Sequence, residues 1–432
     1  MKNAAKPADA AGAARHRAGE ASGHIDRHIE RALGEFMAEL PALILTGPRG
    51  CGKTTSALRL ARSVLRLDRP EEAAALRGNP DALLAAQEKP LLIDEWQAAP
   101  EVMGALKRAV DRSGAAGQYL ITGSVRSRLL PDGWPATGRV VPLAMYGLTV
   151  GELERHSHAA TLISRLFGEE DPKPGAMASA PDVTQYVADA LAGGFPDAVR
   201  LSERARAVWY EGYVEQLVRH DAAMLAQVRS RGGLMALLRA AALNTAGLPS
   251  LKTLAEAARV DHRTVNIYLD LLEDLRIVER IPAWSGNLSS RLVKTQKLYM
   301  VDSGMAAHLS GADRSRVLKN GALLGRIVDT FVLAQLRPLC KLAFPSVAIH
   351  HLRDANGDRE ADVVLESSSG QVVGIEIKAA NRAEPQDARH LAWLRDKLGP
   401  AFVRGFVLHT GSMTFPLDDR LWAMPIAALW RQ

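Results

Sequence analysis

An α/β fold is predicted, with a parallel sheet in the first half of the chain. Three observations predict it. Apolar runs of strand length, at 42–46, 64–68, 91–94 and 118–121, alternate with helix-compatible stretches such as 54–64 and 80–87. The first run empties into Gly47-Pro48-Arg49-Gly50-Cys51-Gly52-Lys53-Thr54, a G-x-x-x-x-G-K-T loop followed directly by a helical stretch. The third run, Leu91-Leu92-Ile93-Asp94-Glu95, ends in two carboxylates. Strands that alternate with helices pair in parallel, because each crossover returns the chain to the same sheet edge.

The glycine-rich loop has the pattern of a phosphate-binding loop of nucleoside triphosphatases. Its glycines leave no side chain between backbone N–H groups and phosphate oxygens, and the helix N-terminus behind it favours an anion. Lys53 is expected to reach the β- and γ-phosphates, and the Thr54 hydroxyl to hold Mg²⁺. Gly47, Pro48, Arg49, Gly50, Cys51, Gly52 and Thr55 complete the expected nucleotide-binding set. Asp94 is expected on the Mg²⁺ shell, and Glu95 is expected to polarise the attacking water. Either motif alone is also what a glycine turn or an ordinary strand exit leaves. Both in order, on successive strands, point to a nucleotide with its Mg²⁺. The strand 118–121 ends in Thr122-Gly123-Ser124, where a polar residue either touches the γ-phosphate or merely stops the strand.

At 432 residues and 47% hydrophobic content, the chain has room for two to four domains with cores of their own. No apolar run is long enough for a membrane span, and no signal peptide is visible in Met1–Gly23, an Ala/Gly-rich stretch read as a tail. With only Cys51 and Cys340, neither a disulfide framework nor a zinc cluster is expected, and a cytoplasmic setting fits. The net charge of +6 is compatible with a polyanionic partner. Residues 285–320 concentrate Arg291, Lys294, Lys297, Arg314, Arg316 and Lys319 against Asp302 and Asp313, either as a nucleic-acid contact or as a solvated basic surface.

Residues 251–258 and 264–275 read as two short helices about the turn Val260-Asp261-His262-Arg263, a helix-turn-helix. Val265, Tyr268, Leu269, Leu272 and Leu275 share one face of the second helix. The segments 277–281, 284–287 and 298–301 supply the strands and wing of a winged-helix region. His262, Arg263 and Asn266 offer donors to a nucleic acid, whereas Asp270, Glu273 and Asp274 repel phosphates, so DNA contact and protein packing both stay open.

In the last third, 357–366 reads as a turn feeding a strand and 373–378 as a second strand. Alternation sets Glu376 and Lys378 on one face and Ile375 and Ile377 on the other. A hairpin would bring Asp362 beside Glu376, giving oxygen ligands for Mg²⁺, with Lys378 beside them to stabilise a pentavalent phosphate. A helix at 323–336 carries Asp329, a further carboxylate. E-x-K alone carries little information, since an exposed Glu–Lys pair gives the same pattern.

Several of these motifs resemble a family of prokaryotic AAA-type ATPases that carry a C-terminal domain of unknown function similar to restriction nucleases. The resemblance is carried by 65–68, 91–97 and 120–124, and by Gly138-Arg139 and Gly193-Gly194-Phe195-Pro196. It continues through Lys297-Leu298-Tyr299 with Asp302 and Gly304, then Asp362 and 375–378, and spans about Ile25 to the C-terminus. It implies ATP as the nucleotide and a sensor role for Ser124. It also implies that Arg139, with Arg126 and Arg128 as rivals, delivers charge to the γ-phosphate in cis or from a neighbouring subunit of a homo-oligomer. Asp362, Glu376 and Lys378 resemble the restriction-endonuclease active site. The family usually has Glu where this chain has Asp329, a shorter side chain.

The expected organisation is a tail at 1–24, an AAA-type P-loop ATPase domain at 25–165 and a helical lid or linker at 166–230. A winged-helix domain at 231–310 and an α/β restriction-endonuclease-like domain at 311–432 follow. The expected function is ATP binding and hydrolysis coupled to a nuclease-like domain that binds or cleaves DNA or RNA. The alternative is a nucleotide-dependent switch for a protein partner, with the nuclease-like domain inactive and used for recognition. No membrane partner is expected.

Overall fold

A computed structural model describes residues 24–123, 137–156, 161–221, 228, 230–286, 295–353 and 358–431. The first half is the predicted parallel sheet. It consists of β1 (Ala42–Thr46), β2 (Ser63–Arg66), β3 (Leu91–Asp94), β4 (Tyr119–Thr122) and β5 (Val141–Ala144), in the order β2-β3-β4-β1-β5. Every neighbouring pair runs parallel. Alternate side chains serve opposite faces. Ile44, Leu65, Ile93 and Ile121 join one core with Met103, Leu106 and Val110 of the helix Val102–Ser113. Leu43, Leu45, Leu92 and Leu120 join another with Ile29, Leu33 and Met37 of the helix His28–Met37. Burial on both faces is why these strands read as unbroken apolar runs. Because all strands point one way, the ends of β1, β4 and β3 meet at one edge, the usual place for a ligand in an open α/β sheet.

Residues 183–192 and 203–216 are helices, and between them the Gly193-Gly194 pair meets a distant motif. The buried Asp302 carboxylate accepts from the Gly194 N–H (2.7 Å), the Met305 N–H (2.7 Å) and the Tyr210 hydroxyl (2.8 Å). A Cβ on Gly193 would lie 2.4 Å from the Tyr210 hydroxyl, and so would one on Gly304. The two glycine motifs are halves of one packed knot around Asp302.

A two-residue strand, β6 (Gly175–Ala176), precedes these helices and pairs not locally but with the far C-terminal sheet. Helices Arg231–Leu243, Leu251–Ala258 and His262–Asp274 come next. An antiparallel ribbon of β7 (Val278–Ile281) and β8 (Lys297–Met300) follows them. The second helix of the predicted helix-turn-helix starts at His262, two residues before the expected Thr264, because Asp261 caps it by accepting from the Thr264 N–H at 2.9 Å. Its apolar face is buried as expected.

The C-terminal part packs the 22-residue helix Gly321–Leu342 and the helix Arg389–Leu398 on a mixed sheet. Its strands are β9 (Val347–Arg353), β10 (Glu360–Ser367), β11 (Val372–Lys378), β12 (Phe402–His409), β13 (Met413–Asp418) and β14 (Leu421–Pro425). The order is β6-β13-β14-β12-β11-β10-β9. One apolar cluster continues from Val150 through the helical segments and the ribbon to Trp430, so the regions divided at 230 and 310 by sequence share a core.

Candidate nucleotide site and carboxylate cluster

At the strand-end edge the chain leaves β1 into the phosphate loop. Gly50 (φ +74°) and Gly52 (φ +100°) hold left-handed backbone that a side chain would strain. A Cβ on Gly47 would lie 2.2 Å from the Met145 carbonyl oxygen. Lys53 is buried at the start of the helix Lys53–Leu58, its ammonium donating to the carbonyls of Gly47 (3.0 Å) and Pro48 (2.8 Å). Thr54 donates from its hydroxyl to Asp94 Oδ1 at 2.9 Å, and Thr55 is exposed beside it. Thr122, at the end of β4 between the other two strand ends, donates to the same Asp94 oxygen at 2.5 Å. Asp94, the last residue of β3, is thereby aimed at the loop. Thr54 and Asp94 offer neighbouring oxygen donors, a set that suits Mg²⁺.

Glu95 follows in left-handed backbone (φ +52°), an uncommon conformation for a residue with a side chain. Its carboxylate accepts from the Gln97 side-chain amide. Burial pushes the Glu95 carboxyl above its ordinary range, with the Gln97 bond opposing, Asp94 adding to the rise and Lys53 and Arg49 opposing it. A carboxyl raised in this way is better suited to take a proton from water.

Other residues grip the loop from a distance. Arg27 is buried, donating to the Cys51 carbonyl (2.8 Å), to the Tyr146 carbonyl (2.8 Å) and to Glu152 (3.1 Å). The Tyr213 hydroxyl donates to the Arg49 carbonyl at 3.0 Å, and an Arg276 Nη2 lies 3.5 Å from the Thr46 hydroxyl. None of these stood out in the sequence as a site residue. Thr122 belongs to the polar strand end Thr122-Gly123-Ser124, of which Ser124 is the residue expected to act. Arg27, Tyr213 and Arg276 lie in no local pattern that marks them.

Ser124, Arg126 and Arg128 lie outside the described residues. For Arg139 the correction concerns delivery within its own chain. Val141 pairs with Leu43 and Ala144 with Thr46, so β5 starts at the edge away from the loop and Arg139 precedes that start. The length of β5 alone, ~10 Å at about 3.3 Å per residue, separates it from the loop. Its guanidinium is held by Asp111 at 2.8 Å. Within its own chain Arg139 does not face the loop.

The second group of expected residues assembles on the β10–β11 hairpin. Val363 pairs with Ile375, and one step further Asp362 meets β11, where its Oδ2 accepts from the Ile377 N–H at 3.0 Å. Lys378 donates to Glu376 Oε1 at 2.9 Å, while Glu376 Oε2 is buried with no hydrogen-bond partner. Burial, then the Asp362 charge, raise the half-buried Asp329 carboxyl well above the usual range, against the pull of Lys297. Burial and Asp362 push Glu376 up to about 8, against Lys378. Burial acts on Asp362 too, but the Lys297 ammonium 2.9 Å from its Oδ1 keeps this carboxyl below its usual range.

Lys297 is the second correction. Sequence placed it on a basic surface, yet its side chain is 4% exposed and lies against Asp362. Arg291 and Lys294 fall outside the described residues, and Arg316 and Lys319 are exposed. On the helix His262–Asp274, His262, Arg263 and Asn266 are exposed, while Arg280 from β7 engages both Asp270 and Glu273. Among the described residues, only His24, Asp26 and Glu30 form a trio whose metal-capable atoms all lie within 4.8 Å of one another. Asp329, Asp362 and Glu376 do not draw together that closely. No helix among the described residues is long and apolar enough to cross a membrane.

Residues 39–154 match the family model of an AAA domain. Residues 324–429 match a domain of unknown function, DUF4143, and residues 183–316 another, DUF8612. The chain is 27% identical over 415 residues to the uncharacterized protein Rv2008c of Mycobacterium tuberculosis, covering 94% of this chain and 83% of that one. The uncharacterized protein Mb2031c of Mycobacterium bovis matches to the same extent, at 27% over 415 residues. Among solved structures, the Walker-type ATPase of Pyrococcus abyssi is similar with a TM-score of 0.40 at 13% identity, over 66% of this chain and 96% of that one. A RuvB mutant of Thermotoga maritima is similar with a TM-score of 0.29 at 21% identity, over 60% and 90%. The AAA-domain match covers the parallel sheet and the loop that follows its first strand.

Proposed function

We propose that the chain binds ATP with Mg²⁺, hydrolyses it, and passes its nucleotide state to the C-terminal sheet domain, which engages a nucleic acid. The observation that carries the reading is the convergence of Lys53, Thr54, Asp94 and Glu95 at one sheet edge, with two hydroxyls fixing Asp94. Lys53 leaves the carbonyls it now touches and takes the β- and γ-phosphates. Thr54 and Asp94 would hold the Mg²⁺, which would neutralise charge on the phosphates. Glu95 orients the attacking water and takes its proton. Tyr213 and Arg276, which touch the loop from the helical segment and from the end of the helix His262–Asp274, are the links through which loop movement reaches the rest of the chain.

The test is hydrolysis and binding measured side by side. Lys53→Ala is expected to lose both. Glu95→Gln keeps the shape but not the base, so it retains Mg-ATP while hydrolysis falls by ~10²-fold or more. An unaltered hydrolysis rate in Glu95→Gln removes Glu95 from the role.

The second reading is the nucleotide-dependent switch for a protein partner, and one observation favours it. The residues resembling a nuclease site are engaged with each other and with Lys297 rather than open. A gel shift with DNA and RNA at two salt concentrations separates the readings. Salt-sensitive binding supports the first, and none at low ionic strength leaves the second.

A further inference from the structure

The Lys297-Leu298-Tyr299 motif has no part in the nucleotide site, and its position is not that of a surface lysine. Lys297 is the first residue of β8, paired with Ile281 across the ribbon. The ribbon is fixed to the edge of the C-terminal sheet. Ala283 bridges to His351 on β9, the Trp284 N–H donates to the His351 carbonyl at 2.6 Å, and the His351 N–H donates to the Pro282 carbonyl at 3.1 Å. The His351 ring bonds the Thr295 carbonyl at 3.0 Å, two residues before Lys297. A docked ribbon therefore delivers the Lys297 ammonium, 4% exposed, to Asp362 Oδ1 at 2.9 Å. The Ile377 N–H already occupies Asp362 Oδ2. Each oxygen of the Asp362 carboxylate thus already accepts a hydrogen bond, one of them from a cation that belongs to the chain.

We propose that Lys297 is the resident cation of the carboxylate cluster, occupying the place at Asp362 that a divalent ion would need, so that the docked ribbon and a bound metal exclude each other there. The argument rests on reading Asp329, Asp362 and Glu376 as a potential metal site. In physical terms, an ammonium buried between carboxylates compensates their charge without coordinating anything. A dication brought to the same oxygen would be repelled by it and would have to displace it. The buried Glu376 Oε2, which has no hydrogen-bond partner, is a position an ion could use once Lys297 has gone.

The experiment is Mn²⁺ binding to the full chain by isothermal titration calorimetry, in the absence of nucleotide so that the phosphate loop contributes little. Wild type and Lys297→Arg, which keeps the charge, are expected to bind weakly at this cluster. Lys297→Met is expected to gain affinity on the order of tenfold or more. Lys297→Met with Asp362→Asn is expected to lose that gain, which assigns it to Asp362. Equal or weaker binding by Lys297→Met overturns the proposal. Should Lys297→Met fail to fold, Asp362→Asn alone decides. Unchanged Mn²⁺ binding relative to wild type supports a carboxylate already taken by lysine, and a clear loss shows Asp362 to be a metal ligand in the wild type and overturns it. A wild type that binds Mn²⁺ tightly and cleaves nucleic acid keeps the nuclease-like reading and discards only the role of Lys297. A set in which no variant, a folded Lys297→Met included, binds Mn²⁺ discards both.

Discussion

Asp94 and Glu376 show how differently two carboxylates can be set by their neighbours. Asp94 receives two hydroxyl donors at one oxygen, from Thr54 and Thr122, and so stays poised beside the loop lysine. Glu376 is half-buried, with one oxygen on Lys378 and the other buried on nothing, and burial holds its proton up to about pH 8 against an ordinary 4.5. The sign follows from proton counting. Between those two values the folded chain holds a proton that the unfolded chain has released, so stability falls as pH rises through that window. The contribution is full below the unfolded value of 4.5 and lost above about 8. Glu376→Gln cannot ionise and escapes this loss. Its melting temperature is expected to exceed that of wild type at pH 9 and to differ least at pH 4, as read by circular dichroism. A difference that is constant across pH would mean that Glu376 does not titrate with folding.

Elements were legible where a local rule fixed them. The parallel strands 42–46 and 91–94 and the loop after the first declared themselves by unbroken apolar runs and by glycines in fixed places, because burial on both faces and close backbone approach leave few other residues possible. The hairpin of β10 and β11 followed from alternation, and it did bring Asp362 to β11 and Glu376 beside Lys378. What no local rule fixes was missed. Lys297 reads as basic surface because nothing near it in sequence announces Asp362, 65 positions on. Arg139 follows a glycine in a suggestive place, yet the direction of β5 sends it to the edge away from its own chain's loop. The Gly193-Gly194 and Asp302-x-Gly304 motifs were visible as motifs but not as one object. Their meeting predicts a cost. Gly304→Ala would place a Cβ 2.4 Å from the Tyr210 hydroxyl and 2.9 Å from the Leu191 carbonyl, which neither can easily yield. Destabilisation of about 1–3 kcal/mol is expected, read as a lowered urea midpoint. In Tyr210→Phe, the hydroxyl that meets that Cβ is gone, so Gly304→Ala should cost less in that background. Equal costs in both would remove Tyr210 from the account.

At the scale of the whole molecule, the apolar cluster from Val150 to Trp430 decides what can fold alone. Leu237, Leu272, Met300, Phe331, Ile375 and Trp430 lie in that one cluster, although sequence assigned them to successive domains. The parallel-sheet end is tied in as well. The Val150 N–H donates to Gln335 on the helix Gly321–Leu342 at 2.8 Å, and Arg431 pairs with Glu154 at 2.6 Å. β6 adds an edge strand to the last sheet from a segment far upstream. A domain with its own core survives when its neighbour is cut away, and one that shares a core exposes the shared face instead. A fragment of residues 24–310 is therefore expected to lack a cooperative melt for its helical part, to bind a hydrophobic dye and to aggregate. The parallel sheet of 25–155 has two cores of its own, so a fragment limited to it should keep more of its structure, at the loss of the Tyr213 and Arg276 contacts to the loop. Calorimetry of the three lengths distinguishes the cases. If 24–310 melts as sharply as the full chain and leaves the dye unbound, the regions are independent, and the links from loop to C-terminal sheet would need to run through flexible connections rather than through a common core.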